Sequence, residues 1–201
     1  MKEVNKLTEK EKEILIKQIA QDLKETLSEN RYLHCISTMK TARKLANQYK
    51  QEEQTVMLTA LAHDIAKEMT QEEFVAYSKE NDVKLEEIDL YAPAILHAKI
   101  GADIVKKKYG FTKEMQEAIY YHTTGRINMS MLDKIVFLAD KSEERRKGTD
   151  ADKLRELIEK EGLEKAILWD IDYYSIPRTI QKQRVIHPYS IEARNDIITK
   201  L

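Results

Sequence analysis

Five stretches of this chain place a His or Asp in line with apolar positions at helical spacing. Met57 and Leu61 lead to Asp64, with His63 one step round the same turn. Leu132 and Val136 lead to Asp140 at steps of four. His97 precedes Ile100, Gly101 and Ile104 on one face, and Met115, Ala118 and Ile119 lead to His122. His34 aligns with Thr38, Ala42 and Leu45. Taken singly, a histidine on an apolar stripe reads as a hydrogen-bonded core residue. Four histidines and two aspartates behaving alike read differently. A buried ionised carboxylate is costly unless it is paired or bound to a metal. No Lys or Arg lies on the adjoining stripes to neutralise Asp140, and Asp64 lies near a predicted helix C-terminus, where the macrodipole disfavours an anion. A multivalent cation would compensate all six residues together. Imidazole with carboxylate suits Fe, Mn, Co, Ni or Zn, and suits Mg or Ca poorly.

The elements that must position these residues are nearly all helical. Apolar residues recur with the 3.6-residue period over 8–27, through Ile14, Leu15, Ile19, Leu23 and Leu27. Further helices are expected over 28–49, 52–66, from Thr70, over 93–110 and from Thr112 to near 124. Others are expected over 131–141, 151–161 and 163–182, with a last one capped by Ser190. Thr70 with Glu73 forms a capping-box pattern, and Pro93 and Gly110 suit a helix start and stop. With 201 residues, 5 Gly and 3 Pro, the chain has the length of one domain and too few turn residues for a many-turned all-β fold. The expected fold is all-α, a helical bundle with the metal site between its core helices.

Charge narrows the function. Lys and Arg total 34, Asp and Glu 35, and the net charge is −1. No broad basic field serves a nucleic-acid backbone, and Arg145-Arg146-Lys147 is too short a patch. There is no membrane-length apolar run and no signal-peptide core, so a cytoplasmic location is expected. One cysteine, Cys35, excludes an intrachain disulfide.

His34, then His63-Asp64, then Asp140 resembles the metal-dependent phosphohydrolases of the HD-domain family. One branch matches further. Its motifs correspond to Arg31-Tyr32-Leu33-His34, to Leu61-Ala62-His63-Asp64-Ile65-Ala66-Lys67-Glu68, and to Leu96-His97 with Gly101-Ala102. They continue in Tyr121-His122-Thr123-Thr124-Gly125-Arg126, Met129-Ser130, and Asp133 to Asp140. The ending Ile186-His187-Pro188 with Glu192-Ala193-Arg194-Asn195 fits as well. Together these are similar to the bacterial YqeK-type HD proteins, symmetrical diadenosine tetraphosphate hydrolases. The resemblance covers roughly 28–198, which divides the chain into an N-terminal helical extension, 1–27, and a phosphohydrolase domain, 28–201. One departure stands after Asp140, where Glu144 occupies a place the branch gives to proline.

The resemblance implies that His34, His63, Asp64 and Asp140 ligate the metal, with iron expected. His97 and His122 either hold a second ion, with Asp64 bridging, or bind phosphate oxygens directly. Lys67, Thr123 and Arg146 are expected on phosphate, and Arg126, His187 and Arg194 near the nucleotide. Metal-activated hydroxide would attack an inner phosphorus of a dinucleoside polyphosphate and release two nucleoside diphosphates. Three alternatives stay open: a mononucleotide nucleotidase, a guanosine polyphosphate hydrolase, and a nucleotide-binding regulatory module without turnover. Neither nucleic acid nor membrane is expected as a partner, and the assembly is expected to be a monomer or homodimer.

Overall fold

The structure is a computed structural model that describes residues 2–201, with residues 93 and 94 by backbone alone. Among the described residues every regular element is helical. A short 3-10 turn, Val4–Lys6, precedes α1 (Glu9–Thr26). Then come α2 (Glu29–Gln48), α3 (Glu53–Ala62), α4 (Gln71–Asn81), α5 (Glu87–Leu90) and α6 (Pro93–Tyr109). They are followed by α7 (Lys113–Tyr120), α8 (Met131–Ser142), α9 (Thr149–Glu161) and α10 (Leu163–Trp169). A π-helical segment, Asp170–Ser175, leads into α11 (Ile176–Gln181), and α12 (Pro188–Ile198) closes the chain.

Side-chain caps start the main helices. Thr8 with Glu11, Thr70 with Glu73 and Ser130 with Asp133 form capping boxes on α1, α4 and α8. The core is built from α2, α3, α7 and α8, with α1 packed on α2 and α3 and α10 packed on α8 and α9. Ile19 and Leu23 of α1 are fully buried in the same cluster as Leu58, Leu61, Met115, Ile135 and Leu138. A smaller cluster of Ala66, Phe74, Leu96 and Ile100 joins α4 to α6. Gly101 lets α6 lie close on the chain after α3, since a Cβ there would stand 3.4 Å from the Ile65 side chain.

Three elements differ from the periodicity. The helix expected to reach residue 66 stops at Ala62, because the Nδ1–H of His63 donates to the Ala60 carbonyl (2.7 Å) that the next helical N–H would use. His122 ends α7 in the same way, through Nδ1 to the Ile119 carbonyl (2.6 Å). The run 163–182 is not one helix, because the π segment interrupts it. The cap of the last helix is His187, not Ser190; its Nδ1 accepts from the Tyr189 N–H at 3.3 Å. Ser190 lies inside the first turn, and the four-residue α5 is too short to show a period.

Candidate metal centre and its cleft

Four elements bring the predicted ligands to one point. His34 projects from α2, His63 and Asp64 from the turn after α3, and Asp140 from the last turns of α8. His97 of α6 and His122, just past α7, stand beside them. All six side chains are buried.

The cluster is organised around Asp64. Its Oδ2 faces His63 Nε2 at 3.4 Å and His34 Nε2 at 3.7 Å. Its Oδ1 faces His97 Nε2 at 3.0 Å and His122 Nε2 at 3.6 Å. Asp140 Oδ1 lies 3.0 Å from His34 Nε2 and 3.6 Å from His63 Nε2. Each carboxylate oxygen therefore meets a pair of imidazole nitrogens.

The orientation of three rings is set from behind. His63 and His122 spend their Nδ1–H on backbone carbonyls, and His34 Nδ1 faces the buried Glu143 carboxylate at 3.1 Å. Neutral rings held this way turn an Nε2 lone pair inward, as metal-binding histidines do. Two nitrogen pairs then oppose each other without a proton between them: His34 with His63 at 3.3 Å, and His97 with His122 at 3.2 Å. Asp64 Oδ1 is buried with no hydrogen-bond donor satisfying it. Orphaned acceptors converging on one point fit a divalent cation, and a cation is what this donor set lacks.

Without an ion, the charges compensate one another. Burial opposes the charge on His63, but Asp64 and Asp140 outweigh it and raise its pKa to about 9. Burial would likewise raise both carboxylates, yet His63 and Lys67 hold Asp64, and Arg146, His34 and His63 hold Asp140, well below the usual range. Burial and the nearby Lys67 ammonium push His97 down to about 3, and burial lowers His122.

The expectation that no cation neutralises Asp140 is corrected here. Arg146 reaches back from the loop after α8, placing Nη2 2.7 Å from Asp140 Oδ1 and Nε on the Asp140 carbonyl. The pairing lies beyond the helix, where no stripe of α8 reveals it. Arg31, one turn before His34, pairs with Asp64 Oδ2 at 2.8 Å and was not assigned a role from sequence. Its spacing of three from His34 was the available signal. Glu144 points outward to Lys44, and Arg155 of α9 holds the loop through the carbonyls of Ser142, Glu143 and Arg146.

The cluster opens into a cleft of about 640 Å³. Lys67 lines it, with Nζ 3.1 Å from His97 Nε2 and 3.5 Å from Asp64 Oδ1. Thr123 lines it with a buried hydroxyl that lacks a partner, and Arg146 and His187 line it as well. Arg126 and Arg194 do not reach it. Arg126 pairs with Asp133 (2.7 Å) and Glu117 (2.9 Å), and Arg194 pairs with Asp172 (2.5 Å). Eight Lys or Arg side chains and three carboxylates line the cleft, in a chain whose net charge is −1. Arg178, Lys182 and Arg184 of its C-terminal wall escaped the sequence reading. Tyr174, Arg178 and Lys182 recur at steps of four, a signal that seemed an ordinary solvated helix face.

The HD domain family model matches residues 31–145, which contain all six clustered residues but not the C-terminal wall. The chain is 35% identical over 177 residues to the symmetrical bis(5'-nucleosyl)-tetraphosphatase of Halalkalibacterium halodurans, covering 88% of this chain and 93% of that one. It is 33% identical to the protein of the same name from Bacillus subtilis, over 68% of this chain and 74% of that one. A crystal structure described as an HD superfamily hydrolase involved in NAD metabolism, from Clostridium acetobutylicum, superposes with a TM-score of 0.87. That structure is 33% identical and matches 92% of this chain and 97% of its own.

Proposed function

This chain belongs to the HD-domain family, and we propose that it hydrolyses diadenosine tetraphosphate symmetrically, giving two ADP. The observation that carries the reading is a single cleft with a buried His/Asp metal centre at its floor and basic side chains along its walls. A polyphosphate needs both: a centre that acts on phosphorus and cations that hold several negative charges at once. The curated relatives of this chain carry the name of that activity.

His34, His63, Asp64 and Asp140 would hold the ion, and iron is our reading of its identity, with Mn, Co, Ni or Zn as substitutes that imidazole and carboxylate accept. The two faces of Asp64 also suit a pair of ions, the second held by His97 and His122. When bound, such an ion supplies a water acidified toward neutral pKa and neutralises phosphate charge. The protein's own groups do the rest. Glu143 and the backbone carbonyls of Ala60 and Ile119 keep three imidazoles facing inward. Lys67 and Arg146, already beside the carboxylates, are placed to take up negative charge on the equatorial and leaving oxygens. Arg31 and the Thr123 hydroxyl orient the phosphates in line, and Arg178 and Lys182 hold the portion that leaves. Symmetric cleavage requires attack at an inner phosphorus, so one ADP moiety lies over the centre.

The test is one assay on protein purified without chelator. Bound metal is quantified, then the protein is incubated with diadenosine tetraphosphate and the nucleotides are resolved by chromatography. ADP as sole product, with stoichiometric transition metal, is the expected result. AMP with ATP would place the phosphates in a different register, and bound metal with no turnover would overturn the assignment.

A further inference from the structure

The same cleft has an end that the metal centre does not use. Tyr91, Ala92 and Ile95, at the junction of α5 and α6, form one wall, and Val185 and Ile186, before α12, form the other. None of the five carries a charge. Tyr91 is 63% exposed although it lies in the cleft, and Val185 is exposed as well. Scattered single apolar residues on a surface are ordinary. Five in one cleft that is otherwise lined with cations mark a place for the neutral, planar part of a ligand whose other part is anionic.

The two walls are tied together beneath this end by a buried polar chain outside the metal centre. Lys99 of α6 is 3% exposed, and its Nζ lies 2.5 Å from Asp89 Oδ2. Asp89, fully buried in α5, also accepts from the Glu86 N–H at 2.7 Å. Its other oxygen, Oδ1, has no hydrogen-bond partner and lies 3.7 Å from Nε2 of His187, which is likewise buried and unpartnered. His187 Nδ1 accepts the Tyr189 N–H, so the proton of the neutral ring is on Nε2 and faces Asp89. A movement of less than an ångström would close that bond. Asp89 lies two residues before Tyr91, and His187 directly follows Ile186, so this chain holds the two apolar walls to each other. A buried ion pair is weak as a source of stability and is better suited to fixing geometry.

We propose that the apolar end of the cleft is a nucleobase subsite, with Tyr91 as its stacking face and the Lys99–Asp89–His187 chain as the tie that sets the separation of its walls. It rests on the diadenosine tetraphosphate reading and extends it, because an ADP moiety over the metal centre needs a neutral apolar place for its base. Tyr91 and His187 are positioning residues and take no part in phosphorus chemistry.

The experiment is calorimetric titration of the metal-loaded protein with ADP and, separately, with inorganic diphosphate. Wild type binds ADP more tightly than diphosphate if the base is read. Tyr91→Ala should weaken ADP about tenfold, within the range of base–aromatic stacking, and leave diphosphate within about twofold, with Tyr91→Phe restoring ADP. His187→Asn keeps a side-chain oxygen able to cap α12 but does not reach Asp89, and it should show the same selective loss. Equal affinity of wild type for ADP and diphosphate overturns the subsite and leaves the hydrolase reading standing. ADP affinity unchanged in Tyr91→Ala, or equal losses of both ligands, also overturns it. An unchanged His187→Asn overturns the tie. Wild type that binds neither ligand counts against the hydrolase reading itself.

Discussion

At the residue scale, Lys67 and His63 separate two kinds of contribution. Lys67 sits beside Asp64 and His97 but is no ligand, since an ammonium has no lone pair. Lys67→Ala should lower kcat by roughly 10²–10³-fold, the loss found when one charge-stabilising donor is removed, with metal content unchanged. Metal analysis alongside steady-state kinetics checks this, and loss of metal would show that the residue builds the centre. His63 makes a prediction about pH. Its pKa in the metal-free protein is raised from 6.5 to about 9 by the neighbouring carboxylates, against the cost of burial. A raised pKa stabilises the fold fully below the unfolded value and loses that contribution as pH rises through the folded one. The Tm of the metal-free protein should therefore fall between pH 7 and pH 9.5, while the metal-loaded protein, whose His63 is held unprotonated, does not share this decline. A metal-free Tm that stays flat across that window would contradict the charge arrangement around His63.

At the scale of elements, α8 shows how one side chain serves a cap and a loop together. Asp133 closes the capping box with Ser130 and pairs with Arg126, which also holds Glu117 of α7. Arg126 thus joins the turn after α7 to the start of α8. Gly125 beside it has φ +72°, and a Cβ there would come within 2.9 Å of Ala193, so this turn also seats α12. Arg126→Ala should cost roughly 1–3 kcal/mol, because it leaves the buried Asp133 carboxylate without its charged partner. KM and kcat for diadenosine tetraphosphate should stay within about twofold of wild type. Denaturant unfolding and kinetics on the same preparation check both halves, and a kinetic defect without a stability defect would return Arg126 to the site.

At the scale of the whole molecule, stability and loading are coupled. The centre joins α2, the turn after α3, α6, the turn after α7, and α8, so an ion bound there crosslinks the core through its ligands. An ion bound only by the folded state at a hundredfold over its Kd adds about 2.7 kcal/mol. For a chain of this length that corresponds to roughly 5–11 °C in Tm. Chelation should lower the melting temperature by about that amount, reversibly on adding metal back. A Tm indifferent to chelator, in protein shown to have lost its ion, would mean that the centre does not bind metal in the folded state. Among the described residues no helix is long and apolar enough to cross a membrane.

The sequence by itself determined the helical character, most helix starts and the six residues of the cluster. These rest on local rules, a 3.6-residue period, a Ser or Thr before each helix, and polar residues breaking apolar stripes, and such rules act within a few residues. Tertiary structure alone decided the rest, because it depends on groups far apart in the chain. Arg146 reaches Asp140 only after the loop folds back under Arg155. Arg126 and Arg194, which stand in motifs that look functional, are taken up by Asp133 and Asp172 and never face the cleft. Lys99, Asp89 and His187 come from three separate elements and meet only beneath the cleft. The basic wall from α11 exists because the π segment breaks what periodicity reads as one helix, and no propensity marks that break. Which charges pair is a question of distance through space, and that distance is set by packing.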